Sequence, residues 1–358
     1  MKERWSSLKT EIWKVNKSNP DLETMRRASQ IIKQGGLVAF PTETVYGLGA
    51  NGLDAQAVLG IFKAKGRPAD NPLILHIANQ KDVFYLAAGV PLKAQVLIEA
   101  FWPGPLTLVL PKSRFIPQEV TCGLDTVAIR MPRHPVALAL IREAGVPLAA
   151  PSANTSGYPS TTEASHVISD MDGKIDLVLD GGPAGFGLES TVIDMSGEKP
   201  LILRPGGITR EQIEEVIGPV EYDPANEDSH VKPRSPGMKY KHYSPHAQVV
   251  LLEGEPEEIA DMLVDLIAEN KEQGKKVGLL LTAETLNKLP DKQKIYWRNL
   301  GSRHDLEQIA RNLYAELRSC DNAGIEVIYT ETYARKDIGA ALMNRLVKSS
   351  EQEIRRKQ

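Results

Sequence analysis

Short apolar runs alternate with helical patterns over roughly the first 215 residues of the chain. The stretch 21–36, "DLETMRRASQIIKQGG", predicts a helix with Asp21 as its N-cap and Gly35-Gly36 as its stop. "LVAF" (37–40) predicts a buried strand that runs into a polar, glycine-bearing turn, "PTETVYGLG" (41–49). A second helix is expected over 54–65, and "PLILHIA" (72–78) is rich in strand formers. Further strands are expected at 105–111, 126–132, 146–152, 175–182 and 190–196. So many strands, broken by proline and glycine, predict a twisted α/β sheet of mixed rather than purely parallel direction.

The pattern changes at 219–247, which is rich in proline and polar residues and poor in aliphatics, as a linker is. Within it, 231–246 holds Lys232, Arg234, Lys239 and Lys241, two tyrosines, two histidines and no acid. Beyond it strand and helix patterns alternate again: "AQVVLLEG", a helix from Glu255, "KKVGLLLTAE", "KIYWRNLG", a helix from His304, "IEVIYTETY" and a last helix from Ile338. That order predicts a small Rossmann-like domain, and without a G-x-G-x-x-G a dinucleotide site there is not expected. The expected division is a catalytic domain over 1–217, a linker over 218–247 and a C-terminal α/β domain over 248–358.

Composition narrows the picture. Hydrophobic residues make up 42% and charged residues 25%, so each domain can bury a core. A net charge of −3 gives no global sign of nucleic-acid or membrane binding, and any RNA contact would need a local basic surface. Two distant cysteines, Cys122 and Cys320, make neither a disulfide framework nor a zinc set, and no metal site is expected. The charged N-terminus and the absence of a long apolar run imply a cytoplasmic protein without a membrane span. His242 and His246 are four apart, but Pro245 between them favours a solvated loop over a metal-binding helix face. The sequence has no G-x-x-x-x-G-K-[ST], no H-E-x-x-H and no G-x-S-x-G.

Three clusters carry candidate chemistry. In "KAKGRPADNPLILHI" (63–77), Lys63, Lys65 and Arg67 end a helix and Asn71 precedes a strand bearing His76. Cations at a helix C-terminus complement its dipole, yet this turn also gathers them where a polyphosphate could be held. In "APSANTSGYPSTT" (150–162), hydroxyls and an amide follow an apolar run, which suits either an ordinary turn or phosphate oxygens. Arg130, inside "TVAIRMP", and Arg204, between "LIL" and "PGG", need an anionic partner if buried, be it structural or a substrate carboxylate.

Taken together, "PTETVYGLG", "KGRPADNPLILHI", "WPGPLT", "TVAIRMPRHP", "APSAN" and "LESTVID…ILRPG" resemble the YrdC-like threonylcarbamoyl-AMP synthases over about residues 20–215. "SPGMKYKHYSPHA" extends the resemblance into the C-terminal domain of the longer members. The resemblance implies that L-threonine, bicarbonate or CO2, and ATP with Mg2+ give threonylcarbamoyl-AMP and pyrophosphate. Separate threonylcarbamoyl-transfer proteins would then act on position 37 of tRNA. It further implies a K-x-R…S-x-N signature of Lys65, Arg67, Ser152 and Asn154. Asn71, Thr126, Ser160, Arg204, Ser235 and Tyr240 would add nucleotide contacts. Arg130 would clamp the threonine carboxylate, with Thr44, His76, Ser190 and the Ala150 backbone completing that pocket. Tyr46 is expected to pack, Glu43 to orient a cation or be solvated, and Gly47 and Gly49 to let backbone approach the ligand. Residues 231–246 are expected to fold over the nucleotide. The C-terminal domain would dock on the first domain or on a partner. A relative that holds RNA or tRNA without making an adenylate is the main rival. A carbamoyl-transfer enzyme is weaker, since the chain has no C-x2-C pair.

Overall fold

The computed structural model of the chain describes residues 8–224, 242–290, 295–350 and 353–356. Two units emerge. The first comprises Met1–Ser156, Ser160–Gly185 and Glu189–Tyr240, and the second Gly157–Pro159, Phe186–Leu188 and Lys241–Gln358.

The first unit begins with β1 (Glu11–Lys14) and α1 (Leu22–Lys33). The Asp21 carboxylate caps α1 by accepting from Thr24 N, and the helix buries Met25, Ala28 and Ile32. Met25 and Ile32 are each worth about 1.5–3 kcal/mol removed from water. Next come β2 (Val38–Phe40), β3 (Gly47–Asn51), α2 (Ala55–Lys65), β4 (Ile74–His76), α3 (Val83–Leu86) and α4 (Leu92–Phe101). Helix α2 stops at Gly66, left-handed at φ 60°, a conformation in which any side chain is strained. The chain continues through β5 (Leu106–Pro111), α5 (Gln118–Thr121), β6 (Thr126–Arg130), α6 (Pro135–Ala144), β7 (Leu148–Ala149) and α7 (Ala164–Met171). It closes with β8 (Leu177–Asp180), β9 (Thr191–Asp194), β10 (Leu201–Arg204), α8 (Arg210–Ile217) and β11 (Glu221–Tyr222).

These strands join in the order β1-β8-β2-β3-β7-β4-β6-β5-β9-β10-β11. Directions are mixed, as expected: β4 and β6 run parallel, while β5 and β7 lie antiparallel to them. Strand alternation gives the central strands two unlike faces. Leu75, Leu106, Leu108, Leu110, Ile129 and Ile193 point into the main core. The opposite face carries only a small apolar patch, Ile74, Val109, Ala128, Val192 and Leu203. His76 and Arg130 share that sparse face by register, because His76 pairs with Arg130 as Ile74 pairs with Ala128.

Three strands of this sheet escape the sequence pattern. β1 is an edge strand whose side chains are mostly exposed, so it lacks an apolar alternation. β11 falls inside the stretch expected as linker, pairing with β10 before residue 225. β3 occupies the second half of the expected turn. Its glycines make room for Phe40: a Cβ on Gly49 would lie 2.8 Å from the Phe40 ring. Gly47 and Gly49 therefore make room for a core aromatic.

The second unit contains β12 (Gln248–Glu253), α9 (Pro256–Glu272), β13 (Val277–Leu281), α10 (Ala283–Lys288), β14 (Tyr296–Asn299), α11 (Leu306–Asn322), β15 (Val327–Glu331), α12 (Ile338–Ser349) and β16 (Ile354–Arg356). The sheet order is β14-β13-β15-β12-β16, parallel at each pairing, as the alternating pattern predicts. Pro256 at the first position of α9 and a Glu255–Glu258 capping box start that helix. Its core includes Val250, Leu252, Leu263, Leu279, Leu281 and Tyr329.

Candidate active site

Helix α2 ends at Lys65, which is only 2% exposed. Its ammonium donates to the carbonyl oxygen of Ser152 at 2.5 Å and to that of Asn154. Ser156 N donates back to Lys65 O at 3.0 Å. The loop after β7 is thereby stitched to the end of α2, and the two halves of the K-x-R…S-x-N signature become one surface. Ser152 Oγ donates to Asn154 Oδ1 at 2.5 Å, and Asn154 Nδ2 to Thr155 O at 2.8 Å. Sequence reasoning assigned Lys65 to phosphate charge; in this geometry its ammonium also positions the loop.

Arg67 leaves the same turn. It donates through Nε to Asn71 O at 2.9 Å and through Nη2 to Asn71 Oδ1 at 2.7 Å and Pro72 O at 2.8 Å. Asn71 is 1% exposed, and its Nδ2 has no hydrogen-bond partner among the described residues. A buried amide donor without an acceptor costs about 1–3 kcal/mol unless a ligand supplies one. Asn71 precedes the start of β4, and Thr126 opens the adjacent β6. These two residues therefore stand at one end of the β4–β6 pair, and His76 and Arg130 at the other, roughly 13 Å along the strand.

At that far end Arg130 is 4% exposed, donates through Nε to Gly104 O at 3.3 Å, and has Nη2 2.8 Å from Glu43 Oε1. His76 is buried beside it, with Nδ1 3.2 Å from Ile74 O. Burial first, and then the Arg130 charge, push the imidazole down to about 3, so it is neutral at physiological pH. Thr44 is fully buried in the turn after β2. Thr42 Oγ1 shapes that turn, donating to Val45 O at 2.6 Å and accepting from Thr44 N at 3.1 Å. Thr44 Oγ1 lies 2.8 Å from Thr42 Oγ1. Tyr46 is buried and donates to Gly182 O at 2.7 Å, a packing role, and desolvation holds its hydroxyl well above the usual range. Ala150 N donates to Ile74 O at 2.9 Å, so this amide lies over the same strand.

Ser190 and Arg204, expected in different pockets, touch each other. Arg204 Nη2 donates to Ser190 O at 2.9 Å and lies 3.2 Å from Ser190 Oγ. Ser190 Oγ is also 2.8 Å from Thr107 Oγ1 on β5. Ser160 donates to Glu189 Oε1 at 2.5 Å, both side chains being buried. Sequence reasoning missed Thr107, Glu189 and Gly206. A Cβ on Gly206 would fall 2.3 Å from Ser190 C and Thr191 N, so only glycine lets the Arg204 turn lie against that backbone. The "RPGG" after an apolar triplet was the available signal. Ser235 and Tyr240, and most of the expected covering segment, lie outside the described residues.

Known proteins resemble this chain over nearly its whole length. A family profile described as "Telomere recombination" matches residues 30–206, and one described as the C-terminal domain of threonylcarbamoyl-AMP synthase matches 208–350. A threonylcarbamoyl-AMP synthase of Pyrococcus abyssi is 50% identical over 91% of this chain and 94% of its own. One of Bacillus subtilis is 48% identical over 96% and 98%. Among solved structures, P. abyssi Sua5 complexed with L-threonine superposes with a TM-score of 0.92 at 48% identity, covering 98% of this chain and 100% of that one.

Proposed function

Because this chain belongs to the two-domain YrdC/Sua5 family of threonylcarbamoyl-AMP synthases, we propose that the two ends of its β4–β6 pair divide the two substrates between them. The protein is a threonylcarbamoyl-AMP synthase, a nucleotidyltransferase that uses ATP and L-threonine in the threonylcarbamoyl modification of tRNA. A module that merely holds RNA is not favoured, since whole-chain relatives carry the synthase name.

L-threonine lies at the Arg130 end and the nucleotide at the Asn71 end. The observation that carries this reading is the register of His76 with Arg130 on the sparse face, with unpaired Asn71 Nδ2 at the opposite end of the same strands. Arg130 takes the threonine carboxylate, and neutral His76, Thr44, Ser190 and the Ala150 backbone close that pocket. Asn71, Arg67, Thr126, Ser152, Asn154, Ser160 and Arg204 take the nucleotide, whose Mg2+ enters with the phosphates as part of the substrate.

The neutral amine adds to CO2 and sheds one proton, or condenses with bicarbonate and releases water, to give the carbamate. A carbamate oxygen then forms the new bond to the α-phosphorus as the bond to pyrophosphate breaks. The nucleophile is already an anion, so the side chains need only align it and hold the developing charge on the leaving group. The carbamoyl-adenylate then passes to separate transfer proteins. Any direct tRNA contact would use a local basic surface such as the cleft of about 500 Å³ lined by Lys63 and Lys174.

Pyrophosphate release tests the reading with ATP, Mg2+, bicarbonate and L-threonine omitted in turn and L-serine as control. Release should require both threonine and bicarbonate. Release that ignores threonine would reject it.

A further inference from the structure

Glu43 sits opposite Arg130 in an arrangement unlike three other buried carboxylates of the first unit. Glu189 accepts from Ser160 Oγ, Asp170 from Thr155 N, and Asp194 from Ser196 N and Oγ. Glu43 is 87% buried by side chain, yet neither of its oxygens accepts a hydrogen bond among the described residues, and Arg130 Nη2 donates none. The two groups are 2.8 Å apart but out of line. A carboxylate built only to neutralise an arginine is expected to meet its guanidinium in a two-pronged, aligned fork. His134 is the other titratable side chain near Glu43. Burial makes it harder to protonate, so Arg130 remains the principal cation facing Glu43.

We infer that Glu43 is a substrate-binding residue that receives the α-ammonium of threonine. This inference rests on the assignment of the threonine carboxylate to Arg130. A free amino acid brings one negative and one positive group about 3 Å apart on the same carbon. If its carboxylate takes Arg130, Glu43 loses its counter-ion inside a poorly hydrated pocket, an expensive outcome unless a new cation replaces it. The incoming ammonium, with three donors, meets that need and satisfies oxygens that otherwise accept nothing. One misaligned internal pair is exchanged for two aligned ones with no change in net charge. The pocket would then read the zwitterion rather than a carboxylic acid alone, while the Arg130–Glu43 pair keeps each charge balanced before substrate arrives.

Calorimetric titration of the full-length protein separates the roles, with L-threonine and 3-hydroxybutanoate, which is threonine without its amino group, as ligands. Glu43→Gln should weaken threonine binding at least about tenfold. It should leave 3-hydroxybutanoate within about threefold of the wild type, or improve it, because the competitor for Arg130 has gone. Equal weakening of both ligands would reduce Glu43 to a structural support, and unchanged threonine binding would also overturn the inference. Arg130→Gln is the companion variant. If it binds threonine like the wild type, the carboxylate assignment itself fails. If it loses threonine while Glu43→Gln does not, only the role of Glu43 fails. Retained ATP binding and a cooperative melt confirm that each variant is folded.

Discussion

His76 and Arg130 face each other across β4 and β6, and the chemistry of each depends on burial. His76 leaves a signature in stability. Unfolded, it titrates near 6.5; folded, near 3, so between those values the unfolded chain binds the extra proton. Its contribution is therefore intact above pH 6.5 and is lost as pH falls toward 3. His76→Gln should flatten that part of a plot of Tm against pH, whereas an unchanged acid limb would show that His76 is not buried as a neutral base. Arg130→Ala should cost about 3 kcal/mol in urea unfolding, because it leaves Glu43 without its cation, and adding Glu43→Gln should recover part of the loss. These side chains were visible in the sequence as types: an arginine within an apolar strand, and a histidine two residues into another. Their facing each other was not, since register is a property of the paired strands. The turn at 42–49 was expected to wall a substrate pocket; the packing of its Gly47 and Gly49 against Phe40 was not legible in the sequence.

At the scale of elements, the site depends on loops held at fixed spacing. Lys65 joins the end of α2 to the loop after β7 through two carbonyl oxygens. Lys65→Met would strand both acceptors and remove a charge from the proposed nucleotide end. A fall in kcat/KM of at least about a hundredfold is expected, with a lower Tm. A variant with lower Tm but normal kinetics would confine Lys65 to scaffolding. Gly206 places the turn after β10 against the start of β9. Gly206→Ala puts a methyl group into backbone and should cost about 3 kcal/mol, with activity falling further than stability because Ser190 and Arg204 move with that turn. The helices capped by Asp21 and Asp54 were readable where cap and apolar stripe agree, whereas the short α8 behind Thr209 was not picked out despite its capping box. β1, β11 and β16 were not, because short edge strands with exposed side chains have little alternation to read.

For the whole molecule, the sequence showed two α/β regions and their order because mixed and parallel sheets leave different patterns between their strands. The apolar cluster around Val250, Leu252, Leu279 and Tyr329 draws on residues of the second sheet and its helices alone. A chain of residues 242–358 should accordingly give a cooperative urea transition with α/β circular dichroism. A non-cooperative transition would mean that this core is insufficient by itself. Within the first unit, the mixed sheet turns a sparse face outward from the main core, and every strand-borne site residue belongs to that face or to a turn leaving it. The proposed polarity of this face places threonine at the Arg130 end and nucleotide at the Asn71 end. Paired calorimetric titrations of ATP and L-threonine against Asn71→Ala and Arg130→Gln test it most directly. Asn71→Ala should weaken ATP binding and spare threonine, and Arg130→Gln should do the reverse. Loss of both ligands from either variant, or of the opposite ligand from each, would contradict it.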